Sequence, residues 1–299
     1  MIKKTAKTIL ICIALSVVVL GITAAWIYAW IPTPAEIKGC MTTKMFNVYL
    51  CPTSKDYVPL NKISKYMQKT VILTEDSGFY DHHGFEWGVI EKNAREGWET
   101  GNFKKGGSTL TQQLAKNMFL SKDRTFVRKG LEALVTYRIE KTLNKKEILE
   151  RYLNVVEFGQ NIYGVKAAAQ YYFKTSAGSL TVVQSAFLAM ILPNPIKYST
   201  SYRQQEMTKF ARKRMDTIIG NMYRYHRITE DEYHNALIDL SSFLSPAPPP
   251  TTEDQDGRQS IEDEINDSMF DNDDGGSQGP QSIDEIQIDS SEDLDTPTE

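Results

Sequence analysis

Cysteine is scarce: the 299-residue chain has three, and no two of them form a C-x-x-C pair. That excludes a disulfide-built miniprotein and leaves no zinc ribbon or dithiol redox site. Strict alternation of apolar and polar residues is equally rare, which argues against a sheet-built fold, and no internal repeat is visible. Charge of either sign is missing from Thr8 to Ala35. Positive charge is nearly missing at the other end, where Arg258 stands alone among 17 acidic residues between Pro246 and Glu299, a net of −16. The first 245 residues carry 33 basic and 21 acidic side chains, a net of +12, so the overall −4 describes neither part. A basic body points to an anionic partner such as nucleic acid, a phospholipid surface or a phosphorylated substrate.

The uncharged stretch Ile9 to Trp30 has 22 residues, enough to cross a hydrocarbon core ~30 Å thick as a helix. Lys3, Lys4 and Lys7 precede it, so the positive-inside rule puts the N-terminus in the cytoplasm and the rest outside. Trp26, Tyr28 and Trp30 fall at the outer interface. A cleaved signal peptide has a shorter apolar core and a small-residue cleavage site; this run is longer and ends in aromatics. Cys40 follows Lys38 and Gly39 well beyond the apolar run, which argues against a lipoprotein. With Cys12 inside the anchor, Cys40 and Cys51 are the external pair, either bridged, as an oxidising compartment permits, or two free thiols.

The chain divides into four parts: residues 1–30 as basic end and anchor, 31–60 as a stalk without helical period, 61–245 as one mainly α domain, and 246–299 as an acidic tail. Asn144 with Glu147, Thr181 with Gln184, and Thr229 with Glu232 have capping-box spacing ahead of apolar-periodic runs. The run Pro246-Ala247-Pro248-Pro249-Pro250 breaks the chain, and the acidic segment beyond it is too polar to fold alone.

Three segments carry chemistry. Glu75-Asp76-Ser77-Gly78-Phe79-Tyr80-Asp81-His82-His83-Gly84 comes after an apolar helix end. It offers a catalytic carboxylate or metal ligands, and since His226 and His234 lie in the final helices, Glu75 is favoured as catalytic and His82 as a loop-fixing group. Gly106-Gly107-Ser108-Thr109 opens a helix, an anion site in principle because free N–H groups point outward there, although the lysine of a nucleotide P-loop is missing. Along that helix Thr109, Gln112, Gln113 and Lys116 make a weakly charged polar stripe suited to sugar hydroxyls. In the third, Glu132 follows Arg124, Arg128 and Lys129, a setting that would keep the carboxylate ionised and give a diphosphate a docking place. Met118, Phe119, Leu120, Phe126 and Val127 flank it as core or as a membrane-dipping rim.

Together these segments closely resemble the peptidoglycan glycosyltransferases, and specifically their monofunctional biosynthetic transglycosylases. The family's E-D-x-x-F-x-x-H-x-G is Glu75 to Gly84; G-x-S-T-[IL]-[ST]-Q-Q-x-A-K-N is Gly106 to Asn117; R-K-x-x-E is Arg128 to Glu132. I-L-x-x-Y-L-N is Ile148 to Asn154, with Tyr152 and Asn154 as its polar members. A fifth runs from Gly164 to Phe173 and leads to the Leu192-Pro193-Asn194-Pro195 turn. The resemblance covers Leu60 to Tyr225 and leaves the acidic tail without a counterpart.

The resemblance implies a lysozyme-like fold with a membrane-associated small lobe, anchored in a bacterial inner membrane, that polymerises lipid II into β-1,4-linked glycan with release of undecaprenyl diphosphate. It implies lipid II and the nascent strand as partners, cell-wall synthesis proteins as candidate others, and no nucleic acid. Glu75 becomes the general base; Lys116, Arg124, Arg128 and Lys129 the diphosphate clamp; Glu132 its organiser; Ser108 and Gln112 holders of donor groups. Asp76, Phe79, His82, Gly84, Gly107, Thr109, Gln113, Asn117, Tyr152 and Asn154 are read as motif framework. No cofactor is obligatory and no metal ligand is assigned, although Mg or Mn could accompany the diphosphate. A lytic hydrolase and a catalytically dead scaffold are the rival readings. The S-x-x-K and K-T-G elements of a penicillin-binding transpeptidase do not occur in this sequence. A fluorescent penicillin is therefore expected to leave the purified chain unlabelled, as checked by gel fluorescence; a serine adduct would contradict it.

Overall fold

The computed structural model describes residues 2–101, 107–123 and 125–244. Gly106, Arg124 and the acidic tail thus lie outside the described residues. The first helix, α1 (Ile2–Trp30), is long and apolar enough to cross a membrane, and its side chains from Ile9 to Ile22 are exposed. Its C-terminal end meets the domain: Trp30 packs against the core, Lys44 Nζ lies 5.2 Å from the Trp30 ring centroid, and the Arg138 guanidinium lies 6.0 Å from that of Tyr28.

The segment read as a stalk is part of the domain. Helix α2 (Pro34–Lys38) opens on Thr33, whose hydroxyl accepts the Glu36 N–H while Glu36 reaches back to the Thr33 N–H, with Pro34 at the first helical position. Strands β1 (Met41–Thr42) and β2 (Tyr49–Leu50) form an antiparallel hairpin, and Cys40 and Cys51 beside it are joined as a disulfide. Ile37 and Leu50 are buried in the main core. Elements of five and two residues are too short to show a period, which is why the segment reads as irregular. Long polar side chains fasten it: Tyr57 Oη and the Leu60 N–H donate to the two oxygens of Glu150 at 2.6 and 2.7 Å. Asn154 accepts from the Val58 N–H at 2.8 Å and donates to the Val58 carbonyl at 2.9 Å.

The remaining elements are helical apart from one small hairpin. Helices α3 (Lys65–Glu75), α4 (Trp87–Thr100), α5 (Leu110–Phe119), α6 (Phe126–Thr142) and α7 (Lys145–Val155) come first. Strands β3 (Glu157–Gly159) and β4 (Ile162–Tyr163) pair antiparallel. Helices α8 (Gly164–Phe173), α9 (Val182–Ile191), α10 (Pro195–Tyr198), α11 (Thr200–Gln204), α12 (Lys209–Arg224) and α13 (Glu230–Ser242) follow, the last among the described residues. The capping boxes at Asn144, Thr181 and Thr229 form as the spacing predicts.

Helix α9 is apolar on every side, and such a helix belongs in a core. Its residues Phe187, Leu188 and Ile191 are fully buried, each worth about 1.5–3 kcal/mol on transfer from water, with α3, α12 and α13 packed around it. Helix α5 lies between α6 and α7. The core thereby fixes α3, α5 and α6, the elements that carry the motif residues.

Gly164 marks a tight junction. Its φ is +77°, and a Cβ there would sit 2.6 Å from the carbonyl oxygen of Asn154. Left-handed strain costs about 1–3 kcal/mol and a backbone clash adds to it, so Gly164→Ala is expected to lower stability by about 2–4 kcal/mol, measurable as a reduced Tm.

Candidate active site

The site begins where α3 ends. Glu75 is its last residue and Asp76 its C-cap. Asp76 is buried and satisfied on both oxygens: Oδ1 meets His82 Nε2 at 2.8 Å, and Oδ2 accepts the Leu110 N–H at 2.8 Å. His82 Nδ1 accepts the Gly84 N–H at 3.1 Å, which assigns the ring proton to Nε2. The Gly84 carbonyl accepts from Thr109 Oγ1 at 2.8 Å. Gly84 has φ +88°, and a Cβ there would stand 2.8 Å from Thr136 Cγ2. Phe79 is fully buried, with Lys145 Nζ 4.7 Å from its ring centroid. Asp76, Phe79, His82, Gly84 and Thr109 thus form a framework that locks the loop after α3 onto the start of α5.

The expected anion site at the start of α5 is already filled from within. Leu110 N–H goes to Asp76, Gln112 N–H to Thr109 Oγ1, and Thr109 N–H to Gln112 Oε1 in a capping box. The anion at this positive helix end is the Asp76 carboxylate. Thr109 and Gln112 are buried, and the cap turns the Gln112 amide back onto the Thr109 N–H. Gly107 has φ +93° and lies close to Val89, while Ser108 is exposed.

Gln113 and Lys116, further along α5, are half-buried on the side of Glu75. Gln113 Nε2 donates to Glu75 Oε2 at 3.1 Å, and its Oε1 accepts from Tyr152 Oη at 3.1 Å. Tyr152, on α7, is fully buried, so a tyrosine–amide–carboxylate relay orients Glu75 from behind. Burial pushes the Glu75 carboxyl above its ordinary range, against the Gln113 hydrogen bond and the charges of Arg214 and Lys116. Burial likewise pulls the Lys116 ammonium down, opposed chiefly by Glu132. Arg214, on α12, is a contributor that no local sequence signal marks, because the helix core brings it to Glu75 from far along the chain.

Helix α6 supplies the other half. Thr125 caps it by accepting the Arg128 N–H at 3.1 Å. Glu132 is 2% exposed; one oxygen accepts from Arg128 Nη1 at 2.9 Å and the other from Lys129 Nζ. Lys129 also reaches Ser108 Oγ at 3.4 Å. A buried carboxylate so paired is costly to unpair, by about 3–5 kcal/mol. Lys116, Arg128 and Lys129 together outnumber Glu132, which leaves excess positive charge in a partly water-excluded cleft. The flanking apolar residues divide: Met118, Phe119 and Leu120 are buried, whereas Phe126 is 99% and Val127 75% exposed beside the cations. Trp87 and Trp98 of α4 are also exposed. Asn117 is buried at the end of α5, and Asn154 serves the 58 segment rather than the cleft.

A desolvated carboxylate, a cation cluster organised by a second carboxylate, and a helix long and apolar enough to cross a membrane thus stand on one helical chain. The family model for the transglycosylase domain matches residues 43–223, and the chain belongs to that family. It is similar to a biosynthetic peptidoglycan transglycosylase of Herminiimonas arsenicoxydans, 44% identical over 56% of this chain and 70% of the relative. A protein of the same description from Acinetobacter baylyi is 40% identical over 63% of this chain and 85% of its own length. A crystal structure of penicillin-binding protein 1A from Haemophilus influenzae matches at 22% identity with a TM-score of 0.27, over 57% of this chain and 20% of the other.

The raised Glu75 carboxyl has a checkable signature. A carboxyl NMR titration is expected to place it above the ordinary carboxylate range. Gln113→Leu removes the donor that favours the ionised form, so the midpoint should rise further. A midpoint that falls or stays put would separate Gln113 from the ionisation of Glu75.

Proposed function

We infer that this chain is a membrane-anchored peptidoglycan glycosyltransferase that polymerises lipid II into β-1,4-linked glycan strands. The observation that carries the mechanism is the pairing of a desolvated Glu75, oriented through Gln113, with a cation cluster held by Glu132.

In this reading the growing strand on undecaprenyl diphosphate is the donor, and the 4-hydroxyl of an incoming lipid II is the acceptor. Glu75 takes the hydroxyl proton as the oxygen attacks the anomeric carbon. The new C–O bond forms opposite the breaking bond to the diphosphate oxygen, so the anomeric centre inverts. Negative charge grows on the departing diphosphate, and preorganised cations stabilise it. Lys116, Arg128 and Lys129 fill that role, joined by Arg124. Ser108, in reach of Lys129, is placed to hold a donor group. A raised Glu75 carboxyl makes a stronger base once ionised, and removing water from around Lys116 strengthens its pull on phosphate oxygens.

Mg or Mn at the diphosphate fits these side chains poorly as a protein-held ion. Both Glu132 oxygens are engaged by cations, and among the described residues no three His, Cys, Asp or Glu side chains converge. No step is assigned to a metal.

The lysines before α1 orient the N-terminus to the cytoplasm of a bacterial inner membrane and the catalytic domain outside it. The Cys40–Cys51 bridge suits that side, and Phe126, Val127, Trp87 and Trp98 suit contact with lipid beside the cleft. The acidic tail is a candidate contact for other cell-wall synthesis proteins.

Polymerisation of purified lipid II, set beside digestion of finished wall, separates a synthase from a lytic enzyme and from an inert scaffold: polymer without digestion is expected. Glu75→Gln should cut polymerisation by about 10²-fold or more with lipid II binding retained. Lys116→Ala should weaken turnover of diphosphate donors through loss of charge-assisted hydrogen bonds. Near-normal rates in both variants would remove these residues from the mechanism.

A further inference from the structure

Helix α5 carries the cleft residues Gln113 and Lys116, and its two ends are held by different means. Asp76 and the Thr109 cap secure the N-terminal end. At the C-terminal end a helix leaves four carbonyls without intrahelical partners, and here a segment from before the motifs supplies donors. The Lys44 N–H donates to the Met118 carbonyl at 2.9 Å and the Met45 N–H to the Asn117 carbonyl at 3.4 Å, while Leu120 N–H closes on the Lys116 carbonyl at 3.2 Å. Lys44 and Met45 are the tip of the β1–β2 hairpin.

That tip is built around Thr43, which is buried. Its N–H donates to the Val48 carbonyl at 2.8 Å, its hydroxyl accepts the Val48 N–H at 3.0 Å, and its carbonyl accepts the Asn47 N–H at 3.0 Å. Phe46 reaches past α5, with Lys122 Nζ 4.7 Å from its ring centroid and the Tyr163 ring at 4.9 Å. The strands are two residues each, and an isolated two-stranded hairpin is marginal in water. This one is not isolated: Leu50 is buried in the core with Met41 packed against it, and the disulfide between Cys40 and Cys51 ties the two strands together at their open end. Cys40 and β1 precede the region matched by the family model, which starts at residue 43.

We propose that the Cys40–Cys51 disulfide is a positioning element for the donor site: it holds the hairpin tip against the C-terminal carbonyls of α5 and so keeps Lys116 aligned, making diphosphate handling sensitive to the redox state of this chain. The proposal rests on the glycosyltransferase reading above. Opening the bridge loosens the hairpin's hold on the Asn117 and Met118 carbonyls, the turn next to Lys116, while Asp76 continues to hold the end of α5 that orients Glu75 through Gln113. Small misplacement of a positioned group is enough to cost large factors in rate.

The test uses the full chain in detergent and purified lipid II, comparing oxidised wild type, wild type with reductant, the double variant Cys40→Ser/Cys51→Ser, and Thr43→Val, which loosens the tip with the disulfide intact. Melting curves confirm that each form is folded at the assay temperature. The expected result is a fall of about tenfold in kcat, with KM for lipid II within twofold of oxidised wild type, in the reduced, double-serine and Thr43→Val forms. The acid limb of the pH–rate profile should not move in any of them, and reductant should have no further effect on the double-serine variant. A kcat within twofold of oxidised wild type in either variant, a shifted acid limb, or a loss that follows the unfolded fraction overturns the proposal. Absence of polymerisation by oxidised wild type would instead overturn the glycosyltransferase reading.

Discussion

The carboxylate of Asp76 at the N-terminus of α5 is the contact on which the cleft depends. A buried aspartate is tolerable only if its charge is matched, and here a histidine N–H, a backbone N–H and a helix dipole match it. Because Asp76 follows Glu75 in the chain, anchoring Asp76 to α5 also fixes where Glu75 stands relative to Gln113. The same loop returns through His82 and Gly84 to Thr109, closing a ring of hydrogen bonds that leaves α3 and α5 no freedom to slide. Removing the Asp76 carboxylate would leave unpaired buried donors at both ends of that ring, a larger loss than one hydrogen bond.

Three acidic side chains near one cleft are set apart by their partners. Asp76 is satisfied by neutral donors and serves structure. Glu132 is satisfied by two cations, which it arranges in return. Glu75 alone is left with a single amide donor among its nearest partners and a large desolvation cost, and its carboxyl rises accordingly. The division follows from environment rather than residue type, the general way in which like groups take different roles in one site. Lys116 lies between Glu75 and Glu132 electrically, since both favour its charge while burial opposes it.

Much of this was legible in the sequence because the signals are local. Capping boxes at Asn144, Thr181 and Thr229 need only four residues to declare themselves, the membrane-length apolar helix needs only composition, and the acid, amide and cation residues fall in ordered motifs. What stayed hidden depends on direction and on distance along the chain. Gln112 and Gln113 are adjacent amides, and spacing alone does not tell that Thr109 captures the first while Glu75 receives the second. The 31–60 segment read as a stalk because its apolar anchors Ile37 and Leu50 are isolated, while its attachment to Glu150 and Asn154 uses side chains that look like an ordinary polar helix face. Arg214 is invisible for the same reason: only the packing of α12 on α9 and α3 brings it to Glu75.

The attachment of the 31–60 segment also changes what the anchor does. A flexible stalk would let the domain tumble above the bilayer, and the cleft would have to find a membrane-borne substrate by reorientation. Here Trp30 packs into the core, Arg138 lies against Tyr28, and α2 leads directly into the hairpin that meets α5. Arg138 belongs to α6, the helix that carries Arg128, Lys129 and Glu132, so the end of the membrane helix and the cation cluster share one rigid element. In the glycosyltransferase reading, a substrate diphosphate at the headgroup level would meet the cations at a height set by covalent and packed structure. The entropy of orienting the domain is spent once, on folding, rather than at each catalytic cycle.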